Sequence, residues 1–149
     1  MAHEVWTIGS ILSWTQGYFT EKGIETPRLD AEVLLSHVLK KERIYLYVHF
    51  DEPLEPAELS TFRGYVKERG AHTPTAYVLG RREFMGLPFR VTRDTLIPRP
   101  DTEILAQFAV DTLRARASAG MEELRFADIG TGTGAIALSV LNYTEGTRA

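Results

Sequence analysis

The stretch Asp128-Ile129-Gly130-Thr131-Gly132-Thr133-Gly134-Ala135 sets three glycines on alternate positions, the first of them two residues after a carboxylate. Glycine adopts left-handed backbone angles that other residues resist, and its missing Cβ lets a ligand come close to the main chain. An apolar run, Leu124–Ile129, precedes the turn and reads as a buried strand. Ala135–Leu141 follows and reads as a helix. A helix start offers amide donors without intrahelical partners. In open α/β sheets, ligands sit at this carboxyl edge of the strands. The segment therefore reads as the floor of a small-molecule site.

Two ligand classes suit it. Gly130, Gly132 and Ala135 satisfy the loose dinucleotide pattern G-x-G-x-x-G/A. The early third glycine and Asp128 favour S-adenosyl-L-methionine, which has no pyrophosphate but carries an ammonium and a sulfonium, and a nearby carboxylate complements that charge. Asp128, Gly130, Thr131, Gly132, Thr133 and Gly134 are the candidate cofactor-binding residues. A glycine-rich connection without a ligand is the bland alternative.

The elements that would position this turn begin with helices. Thr7 is placed to cap a helix carrying Ile8, Ile11, Leu12, Thr15, Tyr18 and Phe19, which Gly23 would stop. Thr26-Pro27 reads as a cap followed by proline at the first helical position. Ala31, Leu34, Leu35, Val38 and Leu39 continue at helical spacing, and Leu29 and Val33 widen the stripe, so this helix is expected to be central and buried on several sides. Ile44–Phe50 alternates as a strand would, but its helical neighbourhood argues for a short helix. Pro56 opens a helix with Leu59, Phe62 and Val66 that ends near Gly70, and Pro74–Leu79 adds a turn. Trp6, Trp14, the tyrosines and His37 are expected in or beside the core.

The pattern changes at Gly80. Arg81–Met85 and Pro88–Thr92 flank Gly86-Leu87 and read as a β-hairpin with Phe84, Phe89 and Val91 inward. Pro98-Arg99-Pro100 makes a stiff connector. Asp101 then caps a helix in which Leu105, Phe108, Ala109, Thr112 and Leu113 share a face, and Ala115–Gly120 is a small-residue loop. The whole reads as an α+β chain: a helical bundle over 1–79, a hairpin linker over 80–100, and the first elements of a Rossmann-like α/β domain over 101–149.

Composition narrows the function classes. Of 149 residues, 44% are hydrophobic and 25% charged, as in globular proteins. The absence of cysteine excludes disulfides, thiolate metal sites and cysteine nucleophiles. It also suits a reducing, cytoplasmic setting. The four histidines are scattered without metal spacing. The net charge of −3 resides in residues 1–70 and argues against general nucleic-acid binding. Arg81, Arg82, Arg90, Arg93 and Arg99 form a local basic stretch that reads best as a solvated hairpin face. Neither a secretory leader nor an apolar run of membrane-spanning length is visible.

Three segments in order, Arg82-Glu83-Phe84-Met85-Gly86, then Leu96-Ile97-Pro98-Arg99-Pro100-Asp101-Thr102-Glu103, then Asp128 to Ala135, resemble the HemK/PrmC family of glutamine N5-methyltransferases. The helical part, including Asp30-Ala31-Glu32-Val33-Leu34-Leu35, is similar to that family's N-terminal domain. The resemblance implies a helical substrate-recognition domain, a hairpin linker and a methyltransferase domain that uses S-adenosyl-L-methionine. It also implies a substrate, the glutamine of the Gly-Gly-Gln loop in peptide-chain release factors. By match to the motif, Gly130 to Gly134 would line the cofactor and Asp128 would face its positive end. Arg99, Pro100, Thr102 and Glu103 would lie near the same site, with an Arg99–Glu103 ion pair at the helix start as the structural alternative. The family's Asn-Pro-Pro-Tyr segment, which grips the target amide, is expected beyond Ala149, as is the ribose-binding acid. Catalytic residues are therefore unassigned, and residues 1–149 alone are expected to be inactive. An oxidoreductase fragment binding NAD and a non-enzymatic helical docking module are the competing readings.

Overall fold

The computed structural model describes residues 5–149, which divide after Leu79 into two compact units, 5–79 and 80–149. The first is built of five helices: α1 (Ile8–Glu21), α2 (Pro27–Leu39), α3 (Arg43–Val48), α4 (Pro56–Gly70) and α5 (Thr75–Leu79). Thr7 caps α1 in a reciprocal box with Ser10, accepting the Ser10 amide at 3.2 Å and donating its own to Ser10 Oγ at 2.9 Å. Gly23 ends α1 with φ of +69°. Pro27 opens α2 at its first turn, although Thr26 makes no side-chain cap bond. The run at Ile44 is helical, as its neighbours argued, because α3 packs against α2 rather than pairing with a strand.

The core of this unit is one continuous cluster from Ile8 and Phe19 through Leu34, Leu35 and Leu46 to Phe62 and Val66. α2 contacts each of the other four helices. Three side chains depart from expectation: Leu29 is 42%, Trp14 51% and Tyr47 54% exposed. Leu29 is displaced because the inner face of α2 is given partly to acids. Glu32 is buried, and its carboxylate accepts from Arg28 Nε (2.6 Å), Arg43 Nη2 (2.7 Å) and the Tyr47 hydroxyl (2.6 Å). Burial pushes the Glu32 carboxyl up, but the Tyr47, Arg43 and Arg28 hydrogen bonds outweigh it and hold the group below the usual carboxylate range. Asp30, also buried, accepts from Arg69 Nε (2.8 Å) on α4 and Thr75 Oγ1 (3.2 Å) on α5. The two acids tie α2 to α3, α4 and α5. Gly9 has a comparable packing role: a Cβ there would collide with the Phe50 ring, and the Gly9 amide donates to the Phe50 carbonyl at 2.9 Å.

The second unit begins with a hairpin, β1 (Arg81–Phe84) and β2 (Leu87–Arg90), in antiparallel register with Arg81 opposite Arg90 and Phe84 opposite Leu87. The turn is Met85-Gly86, one residue earlier than the sequence suggested, with φ of +52° and +72°. Two successive positive φ values match the twist of a two-residue hairpin. Phe84, Phe89 and Val91 are buried as expected, and Arg81, Arg82, Arg90, Arg93 and Arg99 are exposed.

Helix α6 (Pro100–Ser118) starts with proline in its first turn and Arg99 at the cap position, so Asp101 lies within the helix rather than capping it. Its buried face is Ala106, Val110 and Leu113, while Leu105 and Phe108 are 57% and 69% exposed. The face is turned by about one residue from expectation. Ala106 is small enough to pack against Phe84, Phe89 and Ala135, which hydrophobicity alone does not select. The expected loop from Ala115 is helical up to Ser118, since alanine is the strongest helix former, and the chain turns at Gly120.

β3 (Leu124–Arg125) pairs in parallel with β4 (Thr147–Arg148), and α7 (Ala135–Tyr143) crosses between them. This is a small β-α-β unit, consistent with the start of an α/β methyltransferase domain. The expected strand to Ile129 is thus cut short. β4 offers only two paired residues, and Ile129 is 97% exposed. No helix among the described residues is long and apolar enough to cross a membrane.

Candidate functional site

The glycine turn joins β3 to α7 within the second unit. Gly130, Gly132 and Gly134 have φ of +81°, +55° and +76°. All three lie in the left-handed region, where a Cβ costs roughly 1–2 kcal/mol. A Cβ on Gly130 would meet nothing within 4 Å, so its backbone faces open space. Gly134 stands at the cap of α7, donating to the Thr131 carbonyl at 2.8 Å and accepting from the Leu138 amide at 2.9 Å. There the fit is closer, because a Cβ would approach Leu138 Cδ1 at 3.4 Å. Thr131 is exposed and Thr133 half-buried on the same turn.

Asp128 is half-buried, and its Oδ2 accepts the Ala137 amide at 3.2 Å. The carboxylate therefore satisfies one of the orphan donors in the first turn of α7 and complements that helix end. This anchoring fixes where the negative charge sits beside the glycines. The sequence marked Asp128 as an acid near the turn; it did not show the bond to α7.

The second candidate segment opens α6. Arg99 pairs with Asp101 at 3.4 Å, with both side chains strongly exposed, and not with Glu103. An ion pair that exposed adds little. Glu103 instead accepts the Met85 amide at 3.1 Å. Tyr143, on α7, donates its hydroxyl to the Met85 carbonyl at 2.7 Å. The left-handed Met85 is thus gripped on both sides, which offsets its backbone strain. Thr102 is half-buried and Pro100 exposed at the helix start, where the Thr102 amide donates to the Arg99 carbonyl at 3.0 Å.

These bonds bring the two segments together. Ala106 lies three residues after Glu103 and Ala135 immediately after Gly134, and both pack in one cluster with Phe84 and Phe89. The start of α6, the hairpin turn and the start of α7 therefore meet around the glycine turn. Arg99 is the exception, since its side chain pairs with Asp101. Tyr143 went unnoticed in the sequence because its partner is a backbone carbonyl 58 residues away, which leaves no pattern. Open space beside left-handed glycines and an anchored carboxylate fit a compact ligand with positive charge, while the N-terminus of α7 offers amide donors to an acceptor group of the same ligand.

Comparison with known proteins adds an independent line. Residues 10–80 match the family described as the PrmC N-terminal domain. A release factor glutamine methyltransferase of Geobacter sulfurreducens is 47% identical over 137 residues, covering 92% of this chain and 46% of that protein. The enzyme of the same name from Rhodopirellula baltica is 43% identical over 135 residues, 91% of this chain and 45% of its own length. That from Chlorobaculum tepidum is 38% identical over 145 residues, 97% of this chain and 49% of its own length. The chain spans about half the length of the curated relatives it matches.

Proposed function

The chain belongs, in its N-terminal domain region, to the PrmC/HemK family of release factor glutamine methyltransferases, and from that premise we propose that the whole protein methylates the side-chain amide of the glutamine in the Gly-Gly-Gln motif of peptide-chain release factors. Residues 1–79 serve as the substrate-recognition domain, 80–100 as the hairpin linker, and 101–149 as the opening of the methyltransferase domain. The partner is a protein acting in the cytoplasm; neither nucleic acid nor membrane is bound directly.

The observation that carries this reading is the trio of left-handed glycines, open at Gly130 and flanked by Asp128. Gly130, Thr131, Gly132, Thr133 and Gly134 bind S-adenosyl-L-methionine along the main chain, and Asp128 faces its cationic end. Bound there, the cofactor supplies a methyl carbon activated by a positively charged sulfur leaving group. Asp128 raises the local concentration of that cation and holds its charge in one place, because the Ala137 amide fixes the carboxylate. Glu103 and Tyr143 keep the hairpin turn seated next to the site through Met85. Pro100 and Thr102 frame its edge, whereas the Arg99 side chain turns to Asp101.

The test has two parts. The full-length parent should bind S-adenosylhomocysteine in a calorimetric titration, NAD should give no heat, and Gly134→Ala should weaken the binding. Tight NAD binding would instead support the oxidoreductase reading. With labelled cofactor and a release factor, the parent should transfer label to the glutamine. Residues 1–149, which contain no Asn-Pro-Pro-Tyr segment, should transfer none.

A further inference from the structure

An aromatic ladder stands on the outside of the helical unit. Trp6 meets Trp14 edge-on, with ring centroids 6.3 Å apart, and Trp14 stacks on Tyr18 at 5.5 Å with the rings 7° from parallel. Between this ladder and the Phe62–Val66 face of α4 lies a groove of about 350 Å³. Its rim carries Arg63 and Lys67, both exposed, and among the described residues no acidic side chain lines it. Lys22 adds a third cation, its Nζ 5.6 Å from the centre of the Tyr18 ring.

The groove is preformed. A Cβ on Gly70 would stand 2.7 Å from the Tyr18 ring, so Tyr18 is seated against the α4 backbone and holds the ladder in place. Tryptophan and tyrosine beside arginine are the residue types that dominate binding energy at interfaces; Trp14 is exposed and Trp6 and Tyr18 half-buried, and a fixed wall lowers the entropic cost of docking.

We propose that this groove docks an acidic amphipathic segment of a partner protein. A bulky apolar side chain of that segment enters between the ladder and α4, and its carboxylates meet Arg63, Lys67 and Lys22. The charge pattern selects this occupant. A second copy seated face to face would set the same three cations against one another, and an uncharged segment would leave the rim without complement. The inference goes beyond methyl transfer and does not depend on it.

Trp6 and Trp14 are the only two tryptophans in the chain, so intrinsic fluorescence reports directly on the groove. The probe is a synthetic helical peptide of roughly 12 residues with leucines at positions i and i+4, flanked by glutamates. Its counterpart has lysine in place of glutamate. The glutamate peptide should produce a saturable change in fluorescence, weakened by salt. Joint Arg63→Glu and Lys67→Glu substitution should weaken it by at least about tenfold with circular dichroism unchanged. With a fluorescein-labelled peptide read by anisotropy, Trp14→Ala and Gly70→Ala should each reduce affinity. The proposal fails if the glutamate peptide gives no saturable change, if the lysine peptide binds equally, or if charge reversal has no effect. Concentration-dependent dimerisation that shifts the tryptophan signal without peptide would also overturn it.

Discussion

The two halves of the chain bury their apolar side chains in different ways. Residues 1–79 enclose one unbroken cluster, with α2 touching all four other helices and two buried acids locking it in place. Residues 80–149 hold two smaller clusters, one around Phe84 and Ala106 and one around Val110 and Val140, bridged by Ile136. Surface apolarity does not separate them: each leaves seven large apolar side chains exposed among the described residues. What differs is whether the core is continuous. A continuous core distributes the loss of one contact over many neighbours, whereas a divided one depends on a few joints. The half that carries the glycine turn is the divided one, and its joints are Ile136 and the polar bonds to Met85.

The largest effect should come from breaking the continuous core. Phe62→Ala removes a fully buried ring and should cost about 4 kcal/mol in urea unfolding followed by helical circular dichroism. A loss below about 1 kcal/mol would mean that the cluster is less integrated than its packing indicates. Glu32→Gln comes next, at about 2 kcal/mol, because a buried carboxylate that accepts from two arginines and a tyrosine is replaced by a neutral amide, while the partly exposed arginines regain water. The same residue predicts a pH dependence. Its folded carboxyl titrates below the unfolded value of about 4.3, so its stabilisation is complete above that pH and is lost as pH falls through the lower folded value. Wild type and Glu32→Gln should therefore converge in stability on acidification; curves that stay parallel would remove the role assigned to this carboxylate.

Smaller effects sharpen the contrast in the second unit. Glu103→Ala strands the Met85 amide and should cost about 1–2 kcal/mol. Faster hydrogen exchange should be confined to the hairpin turn, and exchange that quickened throughout residues 1–79 would contradict the independence of the two cores. Phe108→Ser alters an exposed ring and should shift the stability of this chain by less than about 0.5 kcal/mol. A marked loss would show that the outer face of α6 is covered.

Much of the first unit was legible because its rules are local. Thr7, Pro27, Pro56 and Gly23 mark helix ends by backbone chemistry, and apolar spacing selects the faces. The misreadings share another cause. Leu29 is displaced by buried Glu32, and Ala106 takes the place that bulkier Leu105 and Phe108 appear to claim. In both cases the inward residue is fixed by partners outside its own helix, Arg43 and Tyr47 on α3 or the phenylalanines of the hairpin. The hairpin turn was misplaced by one residue because left-handed Met85 is stabilised by Glu103 and Tyr143, and no local signal announces either. At the glycine turn, residue types and spacing were plain, whereas the Asp128 bond to α7 became visible only in three dimensions.

The clasp on Met85 also imposes a timetable on synthesis. The helical unit has its whole core available once Leu79 has left the ribosome. Tyr143 follows Met85 by 58 residues, an interval of roughly 3–12 s at translation speeds of about 5–20 residues per second. Throughout that interval the hairpin's turn lacks one of its two holds, so the nascent chain carries a finished amino-terminal globule followed by an unlatched ribbon.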